Sequence, residues 1–353
     1  MRKKVYCYTS LTFSYLSRAR VLVWSLKRFH PDWHFIAVIT DKVPEGIGFN
    51  LEQEQFDEVI WGHELPIKNI ESWMFRHDLV EMCTAVKGPV MDMLCQRGDA
   101  GKVIYLDPDI AVFNPLDSLL EELDTSNILL TPHQLMPDEK DSAITDNEIC
   151  SLQHGIYNLG FVAVAARDEG KRFARWWSDR LQLFCYDDVP SGLFTDQRWC
   201  DHVPVFFEDV RVIKDPGCNV ASWNLSQRRV EITSQGEILV NGSPLKFYHF
   251  TKYGPVGRTM TERYAEDNTE VYELWEWCGR KLTEFSQPDL PEDYWAYAQF
   301  RNHEPIQKEH RTLYRKRADL QNTFPDPYAD EFHSWLVKNG YGSPDVSSLR
   351  GAK

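Results

Sequence analysis

The run Val103-Ile104-Tyr105-Leu106-Asp107-Pro108-Asp109-Ile110-Ala111-Val112-Phe113 interrupts an apolar, β-favouring text with two aspartates held one proline apart. Its first half reads as a buried strand, with the aspartates at the C-terminal end. Open α/β sheets collect their ligands at that edge. Unpaired carboxylates in an apolar layer are costly. A divalent cation on hard oxygen ligands removes that cost and offsets phosphate charge as well. The same tripeptide is also good turn chemistry, and spacing alone leaves metal site and turn side by side.

Working outward, Val5 to Thr9 reads as a first strand, and Phe13 to Phe29 carries Leu16, Val21, Val23, Trp24 and Leu26 at helical spacing. His34 to Thr40 is a second strand closing on Asp41. This β-α-β opening implies a parallel sheet with right-handed crossover, and so an α/β class. Val59-Ile60-Trp61 is a short third strand; Glu71 to Cys95 is mostly helical, with Gly88-Pro89 as its break. Ile128 to Thr131 and Ile156 to Ala165 are strands, and Glu169 to Phe184 is an aromatic-rich helix. Val230 to Ile232 and Glu237 to Val240 form a hairpin, and Leu245 to Phe250 is a last strand. The polar, acidic segment from His133 to Cys150 reads either as a mobile surface loop or as a lid. The text becomes helical, proline-interrupted and locally basic near Ser286, which divides the chain into a domain over residues 1–285 and a helical extension over 286–353.

A chain of 353 residues supports a large core. Its formal net charge of −14 argues against nucleic acid as a partner. The eight cysteines include no Cys-x-x-Cys pair, so zinc and redox motifs are not expected. Met1 to Tyr6 leads straight into a strand, with no signal peptide or membrane-spanning run, and the expected setting is cytoplasmic. Arg301, Lys308, Arg311, Arg315, Lys316 and Arg317 lie among aromatics in the extension. They suit either peripheral contact with the inner face of a membrane or a solvated helix packed on the main domain.

Three later segments bear on the aspartates. His249 ends the last strand and adds an imidazole to the two carboxylates, a donor set that suits manganese or magnesium; taken alone it reads rather as a histidine packed among its aromatic neighbours. Lys252 follows on a glycine-punctuated turn, from which a lysine reaches a diphosphate as a point charge. Asn158 and Gly160 place an amide and a glycine in an apolar strand, marking either close approach of a ligand or a bulge. Thr195-Asp196-Gln197 has the look of a helix start, with Thr195 as cap.

In this order Leu-Asp-Pro-Asp, Asn-Leu-Gly, Thr-Asp-Gln and Tyr-His-Phe-Thr-Lys resemble the retaining GT-A glycosyltransferases, in particular glycosyltransferase family 8 of the bacterial surface-polysaccharide type. The resemblance implies a Rossmann-like GT-A fold with the donor site in residues 1–132 and the sugar and acceptor part in 150–260. It implies a nucleotide-sugar donor, a UDP-sugar above others, and a glycan or lipid-linked acceptor. Asp107, Asp109 and His249 would hold Mn2+ or Mg2+. Thr9 and Ser10 would lie against the nucleotide, Asp41 at base or ribose, Arg76 or Lys87 at donor phosphate or sugar, and Lys252 at the diphosphate. Asn158, Gly160, Asp196 and Gln197 would line the donor sugar, with Gln197 at the reacting face. Arg198 stands where that family often has a further aspartate. A non-catalytic nucleotide-sugar or glycan-binding module is the alternative. A nucleotidyltransferase would call for a glycine- and lysine-rich loop after the first strand, which Thr9-Ser10-Leu11-Thr12-Phe13 does not offer.

Overall fold

The structure, a computed structural model, describes residues 3–291 and 293–342; the end of the expected extension, 343–353, lies outside the described residues. The opening consists of β1 (Lys4–Leu11), α1 (Leu16–Lys27), β2 (His34–Ile39) and β3 (Glu58–Trp61). There follow α2 (Leu79–Ala85), α3 (Lys87–Cys95), β4 (Ala100–Leu106), β5 (Ile110–Val112) and β6 (Ile128–Pro132). Next come β7 (Tyr157–Ala165), α4 (Asp168–Phe184), β8 (Val210–Val212) and β9 (Phe247–His249). The chain then turns helical in α5 (Pro255–Ala265), α6 (Glu270–Glu284), α7 (Lys308–Lys316) and α8 (Asp330–Lys338).

Seven strands form one sheet in the order β8-β6-β7-β4-β1-β2-β3. The fold is α/β, and the sheet is mostly parallel: β7 alone runs against its neighbours β4 and β6. Helices cover both faces, so every residue of β7 is buried, which is why its sequence is a continuous apolar run rather than an alternating one. Because β7 is reversed, its first residues lie beside the last residues of β4. Leu106 pairs with Phe161, and the Asp107 N–H donates to the Gly160 carbonyl at 2.8 Å. A separate antiparallel pair, β5 with β9, sets His249 opposite Ile110 and lets the Phe250 N–H donate to the Asp109 carbonyl at 2.9 Å.

Two expectations need correction. The helical text over Glu71–Cys95 does not break at Gly88-Pro89; it breaks around Arg76–Asp78 and again at Val86. Gly88 and Pro89 lie in the first turn of α3, where the missing proline N–H has no helical acceptor to lose. Gly88 is required by packing, since a Cβ there would stand 2.8 Å from the Ser178 Cα of α4. The expected loop His133–Cys150 is instead helical from Asp141 onward, through a π turn at Ile144–Ile149 to His154. Its acidic character is met by tertiary partners: Asp146 accepts from Arg263 and, at 2.6 Å, from the Tyr264 hydroxyl.

In the basic extension the structure agrees with the second of its two expected readings, a helical segment packed on the main domain. Arg311 is buried and donates to the carbonyls of Phe75, His77 and Tyr297. Arg315 pairs with buried Glu81 at 2.9 Å. Tyr297, Phe300, Tyr314 and Phe332 share one core with Trp73 and Phe75 of the 1–285 segment. These two arginines therefore serve packing rather than a lipid surface. No described helix is long and apolar enough to cross a membrane.

The Gly88 contact is directly testable. Gly88→Ala forces α3 away from α4 and lowers unfolding free energy by about 1–3 kcal/mol, the usual cost of overpacking; a urea midpoint equal to wild type would contradict the contact.

Candidate metal and donor site

The C-terminal ends of β1 and β4, the start of β7, the end of β9 and the turn at Thr195–Gln197 enclose a cavity of about 410 Å³. Ser10, Lys87, Asp107, Asp109, Asn158, Gly160, Asp196, Gln197 and His249 all line it. Asp107, Asp109 and His249 offer one ligand atom each, all within 4.8 Å of one another. The His249 Nε2 lies 3.1 Å from Asp109 Oδ1 and 3.6 Å from Asp107 Oδ2. Burial by itself would lower the His249 pKa, but the Asp109 and Asp107 carboxylates outweigh it and raise it. Burial would likewise raise Asp109, and the His249 charge overcomes it and lowers it. Gly160 makes room for the imidazole: a Cβ there would stand 2.6 Å from its Nδ1 and Cε1.

Behind this triad sits Lys87, 3% exposed at the first turn of α3. Its ammonium approaches Asp107 Oδ1 at 3.1 Å and Asp196 Oδ2 at 2.9 Å, and donates to the Leu159 carbonyl at 3.1 Å. The Leu159 contact is a hydrogen bond, and the two carboxylates are ion-pair partners of the same ammonium. Burial opposes the charge on Lys87, but Asp107 and Asp196 outweigh it and raise the pKa. Asp196 is itself raised by burial, an effect that Lys87 only partly offsets. The Tyr105 hydroxyl donates to Asp107 at 2.6 Å. Three carboxylates thus converge with one buried ammonium and one imidazole, leaving a surplus of negative charge. Two carboxylates and an imidazole are a fitting donor set for Mn2+ or Mg2+, and a divalent cation balances the surplus.

Asn158 and Gln197 are held by amide networks. Asn158 Oδ1 accepts from the Gly160 N–H and from Asn219 Nδ2, both at 3.0 Å. Gln197 Nε2 donates to the His154 carbonyl at 2.9 Å. Thr195 is not the expected helix cap. It has φ +41°, and the short 3-10 turn begins only at Arg198. A β-branched residue in the left-handed region stores about 1–3 kcal/mol of strain, which places that strain beside Asp196.

Other expected residues fall elsewhere. Thr9 is fully buried, its hydroxyl lacks a hydrogen-bond partner, and it does not line the cavity. Arg76 caps the short helix Ile70–Phe75 and does not line it either. Lys252 adopts φ +51° on the turn after His249, with an exposed side chain outside the cavity. Asp41 accepts backbone N–H groups from Phe13 (3.2 Å), Lys42 (2.9 Å) and Ala296 (2.8 Å), tying the C-terminal extension to the end of β2. Tyr105 and the Trp223 ring, edge-on to His249 at 5.3 Å, were not singled out from sequence. Tyr105 had a usable signal, since it lies two residues before Asp107 and so on the same strand face. Trp223 had none.

No protein-family model matches the chain. It is similar to two curated proteins of Bacillus subtilis, YfnF and YfnD, both described as uncharacterized. YfnF is 26% identical over 281 residues, covering 77% of this chain and 90% of that one. YfnD is 22% identical over 250 residues, covering 69% and 76%. Among solved structures the chain is similar to the galactosyltransferase LgtC in complex with donor and acceptor sugar analogs (13% identity, 82% of this chain and 98% of that one, TM-score 0.49). It is also similar to the glycosyltransferase GlyE of Streptococcus pneumoniae (13% identity, 85% and 67%, TM-score 0.43). Likenesses at this level carry no inference about chemistry, which has to come from the site's own residues.

Asp41 gives the region a pH signature. Burial lifts its carboxyl from 3.8 to about 6, against the pull of its three backbone donors. The folded state then binds the proton more tightly than the unfolded chain, so stability falls as pH rises from about 4 to 6 and levels off above. The contribution is on the order of 2–3 kcal/mol. The difference in unfolding free energy between wild type and Asp41→Asn should change across that window; a pH-independent difference would contradict the assignment.

Proposed function

We propose that this protein is a metal-dependent glycosyltransferase of the GT-A type. In this reading it moves a sugar from a nucleotide-diphosphate donor, a UDP-sugar, to a glycan or lipid-linked glycan acceptor in polysaccharide or lipopolysaccharide biosynthesis. The observation that carries the reading is the convergence of Asp107, Asp109 and His249, backed by Lys87 and Asp196, at the ligand edge of a mostly parallel sheet. Asp107, Asp109 and His249 would hold a Mn2+ or Mg2+ ion, which supplies Lewis-acid stabilisation of the departing diphosphate.

The chain's own residues divide the remaining work. Buried between two carboxylates, Lys87 orients Asp107 and Asp196 instead of binding donor phosphate itself. Asp196, fixed by Lys87 at 2.9 Å, presents its other oxygen to donor hydroxyls. Asn158 and Gln197 line the sugar, their amides oriented by Asn219 and by the His154 carbonyl. Exposed Lys252, next to the triad along the chain, is the cation with freedom to approach the diphosphate. Transfer with retention is part of the proposal. The ion pair blunts Asp196 as a nucleophile, which favours same-face attack with the departing phosphate accepting the acceptor's proton.

Asp109→Asn should reduce metal-dependent release of nucleotide diphosphate by about 100-fold or more, the scale for removing one transition-state electrostatic partner. Coupled detection of UDP with and without Mn2+ reads this out. Undiminished release in the variant overturns the proposal; donor binding without turnover in the wild type turns the site into a binding module.

A further inference from the structure

Two segments far apart in sequence contribute to the wall of the donor cavity, and one carboxylate joins them. Asp78, Val80 and Cys83 line the cavity at α2, and Asp187, Phe194 and Asp196 line it after α4. Glu81 of α2 is fully buried between them. Its Oε2 accepts from the Asp78 N–H at 2.9 Å and caps its own helix. Its Oε1 accepts from the Asp187 N–H at 2.9 Å.

Arg315 of α7, 234 residues later in the chain, completes this joint. Its two terminal nitrogens donate to Glu81, at 3.2 Å to Oε1 and 2.9 Å to Oε2. Such a fork holds a carboxylate in one orientation as well as balancing its charge. The same guanidinium lies 4.0 Å from the centre of the Tyr186 ring. Neither Arg315 nor Glu81 lines the cavity.

The joint anchors the turn that carries Asp196. After Tyr186 the chain reverses and returns by antiparallel pairing of Asp187–Asp188 with Leu193–Phe194. The Tyr186 carbonyl then takes the Thr195 N–H at 3.0 Å. Thr195 stands at φ +41°, and a β-branched residue keeps such a conformation only where its surroundings over-determine it. On one side that constraint is Trp177, whose Nε1 donates to the Asp196 carbonyl at 3.2 Å. On the other side it is Tyr186 and Asp187, which the Glu81–Arg315 pair holds through the ring and the N–H. A buried carboxylate that loses its cation is strongly disfavoured, so disturbing Arg315 loosens Glu81 and with it the anchor of the turn.

We propose that Arg315 and Glu81 are positioning residues for Asp196. Through this pair the C-terminal extension fixes the two contributing segments against each other and sets the direction of the Asp196 carboxylate toward the donor sugar. Its service to a donor sugar rests on the glycosyltransferase reading; the positioning of the turn does not.

Hydrogen exchange read by mass spectrometry on the full chain tests the positioning without any ligand. In Arg315→Lys, which keeps the charge and loses the fork, peptides covering 186–196 should exchange about three- to tenfold faster, the scale of one weakened hydrogen bond. Peptides of β1 and β4 should keep wild-type protection. Turnover with Mn2+ and UDP-glucose, UDP-galactose or UDP-N-acetylglucosamine as probes gives the second readout. KM for a probe that wild type uses should rise by about three- to tenfold, while the inhibition constant of UDP, which carries no sugar, stays unchanged. Arg315→Met combined with Glu81→Gln removes both charges together and strands neither; it should show the same split between KM and UDP inhibition. Unchanged exchange over 186–196, exchange raised evenly along the chain, or a UDP constant that rises with KM overturns the proposal. A wild type that turns over none of the three probes counts against the UDP-sugar reading alone, and the exchange result still decides the positioning.

Discussion

The buried ammonium of Lys87 is the interaction on which the site depends. It joins four parts of the chain that are distant in sequence: the start of α3, Asp107 after β4, Leu159 in β7 and Asp196 in the turn that follows α4. A buried charge pair is weak evidence for stability, because desolvation offsets much of its attraction. Breaking it is another matter. Removing the lysine strands two carboxylates in a low-dielectric setting, typically at a cost of about 3–5 kcal/mol. What Lys87 provides is therefore geometry: it fixes the direction in which Asp107 and Asp196 present their remaining oxygens.

That arrangement is available because β7 runs backwards. In a wholly parallel sheet the first residues of β7 would lie at the opposite edge from Asp107. The reversal brings Asn158, Leu159 and Gly160 to the end of β4, where the Gly160 carbonyl takes the Asp107 N–H and its missing side chain admits His249. The β5–β9 pair completes the triad from the other side by hydrogen bonding Phe250 to Asp109. One antiparallel pairing inside the mostly parallel sheet, β7 with β4, and the separate β5–β9 pair thus converge on three side chains.

Legibility in the sequence tracks how local the cause is. The strands around Tyr8, Val38 and Val103 were readable because burial on both faces leaves continuous apolar runs. Asp107, Asp109, His249 and Asn158 were readable as polar groups at the ends or interruptions of such runs. Arg76 and Thr9 were misplaced for a related reason, since proximity along the chain to a strand or helix end does not say on which face a side chain emerges. Ser10 enters the cavity while Thr9, its neighbour, turns away, as strand alternation demands. Asp41 does end its strand, yet its carboxylate is spent on the Ala296 N–H, a partner 255 residues away in the sequence. The helical Asp141–His154 segment was unreadable because its Asp146 finds Arg263 and the Tyr264 hydroxyl, on a helix more than a hundred residues later.

The sequence by itself determined the α/β class, the parallel opening and the identity of the acidic, imidazole and amide groups at strand ends. Those properties follow from periodicity, apolar burial and the cost of an unpaired carboxylate, all of which act over a few residues. Only the tertiary structure decided that β7 reverses, that Lys87 braces the carboxylates, and that Arg311 and Arg315 turn inward. Each of these depends on a charge or a polar group finding a partner far along the chain, and a low-dielectric interior makes that pairing decisive.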